Sequence, residues 1–137
     1  MKKAQGVKMK MVLIVDDDEL VRSTVSAMLS ALKFNVTEAP NGKVALKLTS
    51  ECRFDLIVTD LFMPEIDGLE LVNQIRKISP GTPIVMMTGG GMLFPQGSGS
   101  LSDLTSSAEF LGASFVINKP FRKEALTKVL EKVFFPE

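Results

Sequence analysis

Apolar residues along this chain follow two rhythms. Runs that are apolar at nearly every position fall at Met11 to Val15, Leu56 to Thr59 and Pro83 to Thr88, with weaker β-rich runs at Phe34 to Glu38 and Ser114 to Asn118. "LIVTD" and "PIVMMTG" do not alternate, which suits strands covered on both faces. Between the runs the period becomes helical. Leu20, Val21, Thr24, Val25, Met28, Leu29 and Leu32 share one stripe, and Leu126, Val129, Leu130 and Val133 share another. Asn41 before Gly42 and Asp67 before Gly68 read as helix N-caps. Strand-then-helix units repeated in this way predict an α/β fold: a doubly wound, five-stranded parallel sheet with right-handed crossovers and helices on both faces.

That architecture says where chemistry belongs. In open α/β sheets ligands bind outside the carboxyl ends of the strands, at a switch in strand order. The first predicted strand runs into Asp16 and Asp17, the third into Asp60, the fourth into Thr88 and the fifth into Lys119. The polar residues with chemical potential thus converge on one edge. Asp18 and Glu19 continue the acidic run, but they fall in the first turn of a helix, where acids favour the positive end of the macrodipole.

Composition narrows the options. The chain has 137 residues, 45% hydrophobic and 23% charged, enough for one domain with a substantial core. Its formal net charge is zero, which gives no general pull toward nucleic acid or an anionic membrane. No apolar run reaches transmembrane length, and the start lacks a signal peptide's apolar core, so a cytoplasmic protein is expected. There is no histidine, which removes the commonest transition-metal ligand and general base together. A metal here should be a hard cation held by oxygen. Cys52 is the single cysteine, expected at a half-buried helix end, and Met63, Met86 and Met87 read as core filler.

Taken in order, "VLIVDDDELVR", "DLIVTDLFMPEIDG", "PIVMMTG" and "NKPF" resemble a response-regulator receiver domain of two-component signalling, over Met11 to Phe134. The resemblance implies strand order 2-1-3-4-5, the order of the chemotaxis receivers in this family. It implies that Asp60 accepts a phosphoryl group from a phosphohistidine on a sensor histidine kinase or phosphotransfer protein. Asp16, Asp17, Asp60 and the main-chain carbonyl of Phe62 would bind Mg²⁺. Lys119 would pair with the phosphoryl oxygens, Thr88 would donate a hydrogen bond, and Pro120 would follow a cis peptide bond. The implied role is signalling rather than enzymatic: the domain would promote only its own phosphorylation and dephosphorylation and switch its binding to a downstream protein, with no direct contact to nucleic acid or membrane.

Residues 1–137 are expected to be one such domain, with a tail at 1–10 and a long flexible segment at 89–101. One helix remains after Lys119, so no output domain is expected in this chain. Two features depart from the family pattern. Val116 stands where many members carry an aromatic residue three positions before the lysine, and the neighbouring Phe115 should face the other side of the sheet. The segment "GGGMLFPQGSGSLSD" is roughly nine residues longer than the usual connection; its apolar island Met92 to Pro95 suggests a docking role.

A rival resemblance is to a phosphatase of the haloacid-dehalogenase type, with Asp16 as nucleophile and Asp18 as general acid. It fits poorly. The chain is short for that fold with a cap, no late acidic pair follows Lys119, and Asp60 would have no role.

Overall fold

The computed structural model describes residues 9–89 and 112–135. Five strands, β1 (Met11–Val15), β2 (Asn35–Ala39), β3 (Leu56–Asp60), β4 (Ile84–Thr88) and β5 (Phe115–Asn118), form one parallel sheet in the order β2-β1-β3-β4-β5. Four helices are described: α1 (Glu19–Ala31), α2 (Gly42–Glu51), α3 (Gly68–Ile78) and α4 (Lys123–Phe134). The doubly wound fold and its strand order are therefore as expected. The helix expected between β4 and β5 lies outside the described residues. So do the tail and the 89–101 segment, apart from Met9, Lys10 and Gly89.

Burial explains why the apolar runs do not alternate. Every residue of β3 and β4 is buried, because helices cover both faces. On one face Leu13, Val15, Ile57, Ile84 and Met86 pack with Ala45 of α2 and with Leu71, Val72 and Ile75 of α3. On the other, Val12, Ile14, Val58, Val85 and Met87 pack with Val25 and Leu29 of α1 and with Leu126 and Leu130 of α4. Val116 joins the first layer and Phe115 the second, so the two do point to opposite sides as the strand period demands. Met63, Met86 and Met87 are core residues.

The register aligns the strand ends. Val15 pairs with Thr59, Asp60 with Met87, and Thr88 with Asn118. The order of strands reverses between β1 and β3, so the switch point predicted for ligands falls between the strand that leads into Asp16 and the strand that ends in Asp60.

Helix starts are set by short polar caps. Asn41 Oδ1 accepts the Val44 N–H at 2.9 Å, and Asp67 Oδ1 accepts the Glu70 N–H at 2.9 Å. Cys52 closes α2, but it is exposed rather than half-buried as expected.

Gly68 has a further task. Its N–H donates to the Leu61 carbonyl at 2.7 Å, pressing the start of α3 against the end of β3. A Cβ there would meet the Asp60 carbonyl oxygen and would lie 2.7 Å from Leu61 Cα and 2.9 Å from Met86 Sδ. Most of these neighbours are backbone and cannot rotate away. Gly68→Ala is accordingly expected to destabilise the fold by about 1–3 kcal/mol in urea unfolding, and to shift the amide resonances of Asp60 and Leu61 more than those of β5.

Candidate functional site

Asp16 follows β1 and is fully buried. Its N–H donates to the Ala39 carbonyl at 3.2 Å, and its Oδ1 accepts the Asp18 N–H at 2.9 Å. Asp17, the next residue, is exposed. Asp60 ends β3 at 5% exposure, and its Oδ1 accepts the Leu61 N–H at 3.0 Å. Carboxylate oxygens of Asp16, Asp17 and Asp60 lie within 4.8 Å of one another. The fold thus gathers the three acids that the strand ends predicted.

Lys119 sits between two of them. Its Nζ lies 3.3 Å from Asp16 Oδ2 and 3.2 Å from Asp60 Oδ1. The family resemblance assigns this lysine to phosphoryl oxygens, and in the structure it is already paired with both carboxylates. The reason is physical: two buried carboxylates need a counter-ion, and the end of β5 supplies one.

Burial pushes the Asp60 carboxyl up from 3.8 to about 6, the adjacent Asp16 adds to the push, and Lys119 offsets part of it. For Lys119, burial favours the neutral amine, but the charges of Asp60 and Asp16 outweigh it and raise its pKa above the usual lysine value. With all groups ionised, three carboxylates face one ammonium. The donor set is purely oxygen and its net charge is negative, which fits a hard divalent cation.

The remaining predicted residues border this cluster. Thr88 is fully buried, and its hydroxyl donates to Asn118 Oδ1 at 2.6 Å. The Lys119 N–H donates to the Thr88 carbonyl at 2.6 Å, and the Lys119–Pro120 peptide is cis, as expected. Phe62 lies two residues beyond Asp60 and is 41% exposed.

Asp18 caps α1 rather than standing inside its first turn. Its Oδ1 accepts the N–H groups of Leu20 at 2.9 Å and Val21 at 3.3 Å. Glu19 is the acid of the first turn. A carboxylate committed to its own helix start is poorly placed as a general acid, which counts against the phosphatase reading.

Two residues that support the site carry no sequence signal of doing so. Arg22 on α1 donates from Nη1 to the Asp16 carbonyl at 2.8 Å and from Nε to Glu38 Oε1 at 2.9 Å. It ties the acidic loop to β2. Arg22 lies one helical turn beyond the cap, but its partner Glu38 is 16 residues away on another strand, so no local pattern links them.

Comparison with known proteins decides the family. A model described as the response regulator receiver domain matches residues 12–131. The chain belongs to that family. This receiver domain is 32% identical to the chemotaxis protein CheY4 of Vibrio cholerae, with a TM-score of 0.80 over 93% of this chain and 100% of that one. It is 34% identical over 115 residues to the response regulator MprA of Mycolicibacterium vanbaalenii, covering 84% of this chain and 46% of MprA. It is 29% identical over 119 residues to the transcriptional regulatory protein GlrR of Escherichia coli, covering 87% of this chain and 25% of GlrR. The chain therefore spans less than half the length of these two curated relatives. Receiver domains are signalling domains, not conventional enzymes, and the phosphatase alternative is not favoured. None of the described helices is long and apolar enough to cross a membrane.

The raised acid makes a test of the cluster in the absence of metal. Asp60 holds its proton more tightly folded than unfolded. Its contribution to stability is complete below about pH 4 and is lost as pH rises through about 6. At about 1.4 kcal/mol per unit, the shift from 3.8 to about 6 corresponds to roughly 3 kcal/mol. Asp60→Asn keeps the shape without the charge. In chelator-treated buffer it should be more stable than wild type by about 1–3 kcal/mol at pH 7.5, with the gap closing as pH falls below about 5; urea unfolding across pH measures this.

Proposed function

We propose that this domain, acting as one unit over residues 1–137, is phosphorylated on Asp60 by a phosphohistidine of a sensor histidine kinase or phosphotransfer protein. The observation that carries this reading is the buried Asp60 carboxylate at the switch-point crevice, with Asp16 and Asp17 within reach of one shared ion and Lys119 beside it. Asp60 Oδ1 is engaged by the Leu61 N–H and by Lys119, so Oδ2 is the oxygen that attacks phosphorus. The phosphorus–nitrogen bond of the donor breaks as the phosphorus–oxygen bond forms, and the histidine leaves with the bonding pair. With its pKa at about 6, Asp60 is largely ionised at neutral pH and ready to attack.

Asp16, Asp17 and Asp60, together with the Phe62 carbonyl, would hold Mg²⁺, which neutralises charge on the incoming phosphoryl group. The protein's own groups do the rest. Lys119 is already poised between Asp16 and Asp60 and follows the new negative charge onto the phosphoryl oxygens. The Thr88 hydroxyl donates to another of them. The same groups would govern the domain's own dephosphorylation. A surface altered by these shifts is then read by a downstream protein in the cytoplasm, without direct contact to nucleic acid or membrane.

Treatment with acetyl phosphate and Mg²⁺, followed by borohydride reduction and mass mapping, should place one phosphoryl group on Asp60, and Asp60→Asn should abolish it. Label on Asp16 would instead support the phosphatase reading.

The acid assignments make a second test. Asp17→Asn should weaken Mg²⁺ binding by about tenfold or more, since loss of a ligand should cost at least what outer-shell partners are worth. Asp18→Asn should change it far less, because that carboxylate caps α1. Equal losses in an NMR-monitored titration would show that the cap assignment is wrong.

A further inference from the structure

Thr88 stands on β4, between the strand that ends in Asp60 and the strand that ends in Asn118. Its hydroxyl is drawn sideways to β5, where Asn118 Oδ1 accepts it at 2.6 Å. The two residues are register partners on neighbouring strands, so their side chains leave the same face. A threonine hydroxyl has a single proton to give. While Asn118 accepts it, an oxygen on the Asp60 side receives none.

We propose that Asn118 is a positioning residue for Thr88, holding its hydroxyl toward β5 in the unphosphorylated protein so that phosphorylation must win it away. The proposal rests on Asp60 being the phosphoryl acceptor. Thr88 has no exposed surface whereas Asn118 is exposed, so the bond ties a buried hydroxyl to a partner at the rim of the sheet. Among the described residues no buried side-chain polar atom lacks a partner, so this hydroxyl exchanges one acceptor for another rather than going without. The backbone allows the exchange. The Lys119 N–H donates to the Thr88 carbonyl at 2.6 Å, which keeps β4 and β5 paired while the side-chain bond changes hands. Val116, two positions before Asn118 on the same strand, carries no polar side-chain atom. Asn118 is thus the polar partner that β5 offers to Thr88, and it tunes how readily the acceptor site is filled without touching the phosphoryl group.

Beryllofluoride with Mg²⁺, a stable mimic of the phosphoryl group on an aspartate, tests this in NMR titrations. The proteins compared are wild type, Asn118→Leu, Thr88→Val and the double variant, with Asn118→Ala in reserve should leucine disturb the end of β5. Removing Asn118 takes away a bond made only in the empty state, so Asn118→Leu should bind beryllofluoride about three- to tenfold more tightly. Thr88→Val should bind it more weakly, and adding Asn118→Leu to Thr88→Val should change nothing further. That non-additivity is the signature of action through the hydroxyl. Unchanged affinity in Asn118→Leu would overturn the proposal, as would an equal gain in the Thr88→Val background. Weaker binding would also overturn it, because Asn118 would then be donating its amide to Thr88 and helping the hydroxyl point the other way. Absence of any beryllofluoride-dependent change near Asp60 in wild type would remove the acceptor reading itself, and the proposal with it. Tight binding with no effect of Asn118 removes the proposal alone.

Discussion

Two buried acids, Asp16 and Asp60, share the ammonium of Lys119. Without that cation the carboxyl end of the sheet would hold like charges away from water, an arrangement that protonation or unfolding would relieve. With it the cluster survives, but incompletely compensated, as the raised pKa of Asp60 shows. The residual strain is electrostatic and is located where a cation or a charged ligand would relieve it. A site that were fully satisfied at rest would have little reason to respond to either.

The surroundings are built to keep that imbalance in place. Asp16 is held by the Ala39 carbonyl, the Asp18 N–H and, through its own carbonyl, Arg22. Asp60 ends a strand that is buried at every position, and the start of α3 is pressed against it through Gly68. These contacts leave the acids little room to swing apart. The four acids in a row then divide by environment: Asp16 is buried and paired, Asp17 is exposed within reach of the cluster, Asp18 caps α1, and Glu19 occupies its first turn.

Much of this is legible in residue order. Unbroken apolar runs reveal strands covered on both faces, and the polar residue that ends each run marks the crevice edge. The readings that slip have identifiable causes. At the sheet's edge β2 begins at Asn35 rather than Phe34, because the Phe34 N–H donates to the Leu29 carbonyl at the end of α1, at 3.1 Å, and is not free for the strand ladder. Asp18 reads as one position too far into its helix, since a cap and a first-turn acid look alike until their hydrogen bonds are seen. The links from Arg22 to Glu38, from Thr88 to Asn118 and from Lys119 to the acids join distant strands and helices. Sequence places Thr88, Lys119 and the acids at the right edge of the sheet, but it does not say what they touch and gives no sign of Arg22, Glu38 or Asn118 as their partners.

The elements leaving the site divide between the two layers of the molecule. Asp16 leads into α1 and Lys119 toward α4, both packed on one face of the sheet, while Asp60 leads through Gly68 into α3 on the other. The acid cluster is therefore a hinge pin shared by two helical layers that the sheet otherwise keeps apart. A change of charge at the pin would act on elements of both. One chemical event can in this way be legible from either side of the molecule, and binding partners of quite different shape could evolve to read it without competing for the same surface.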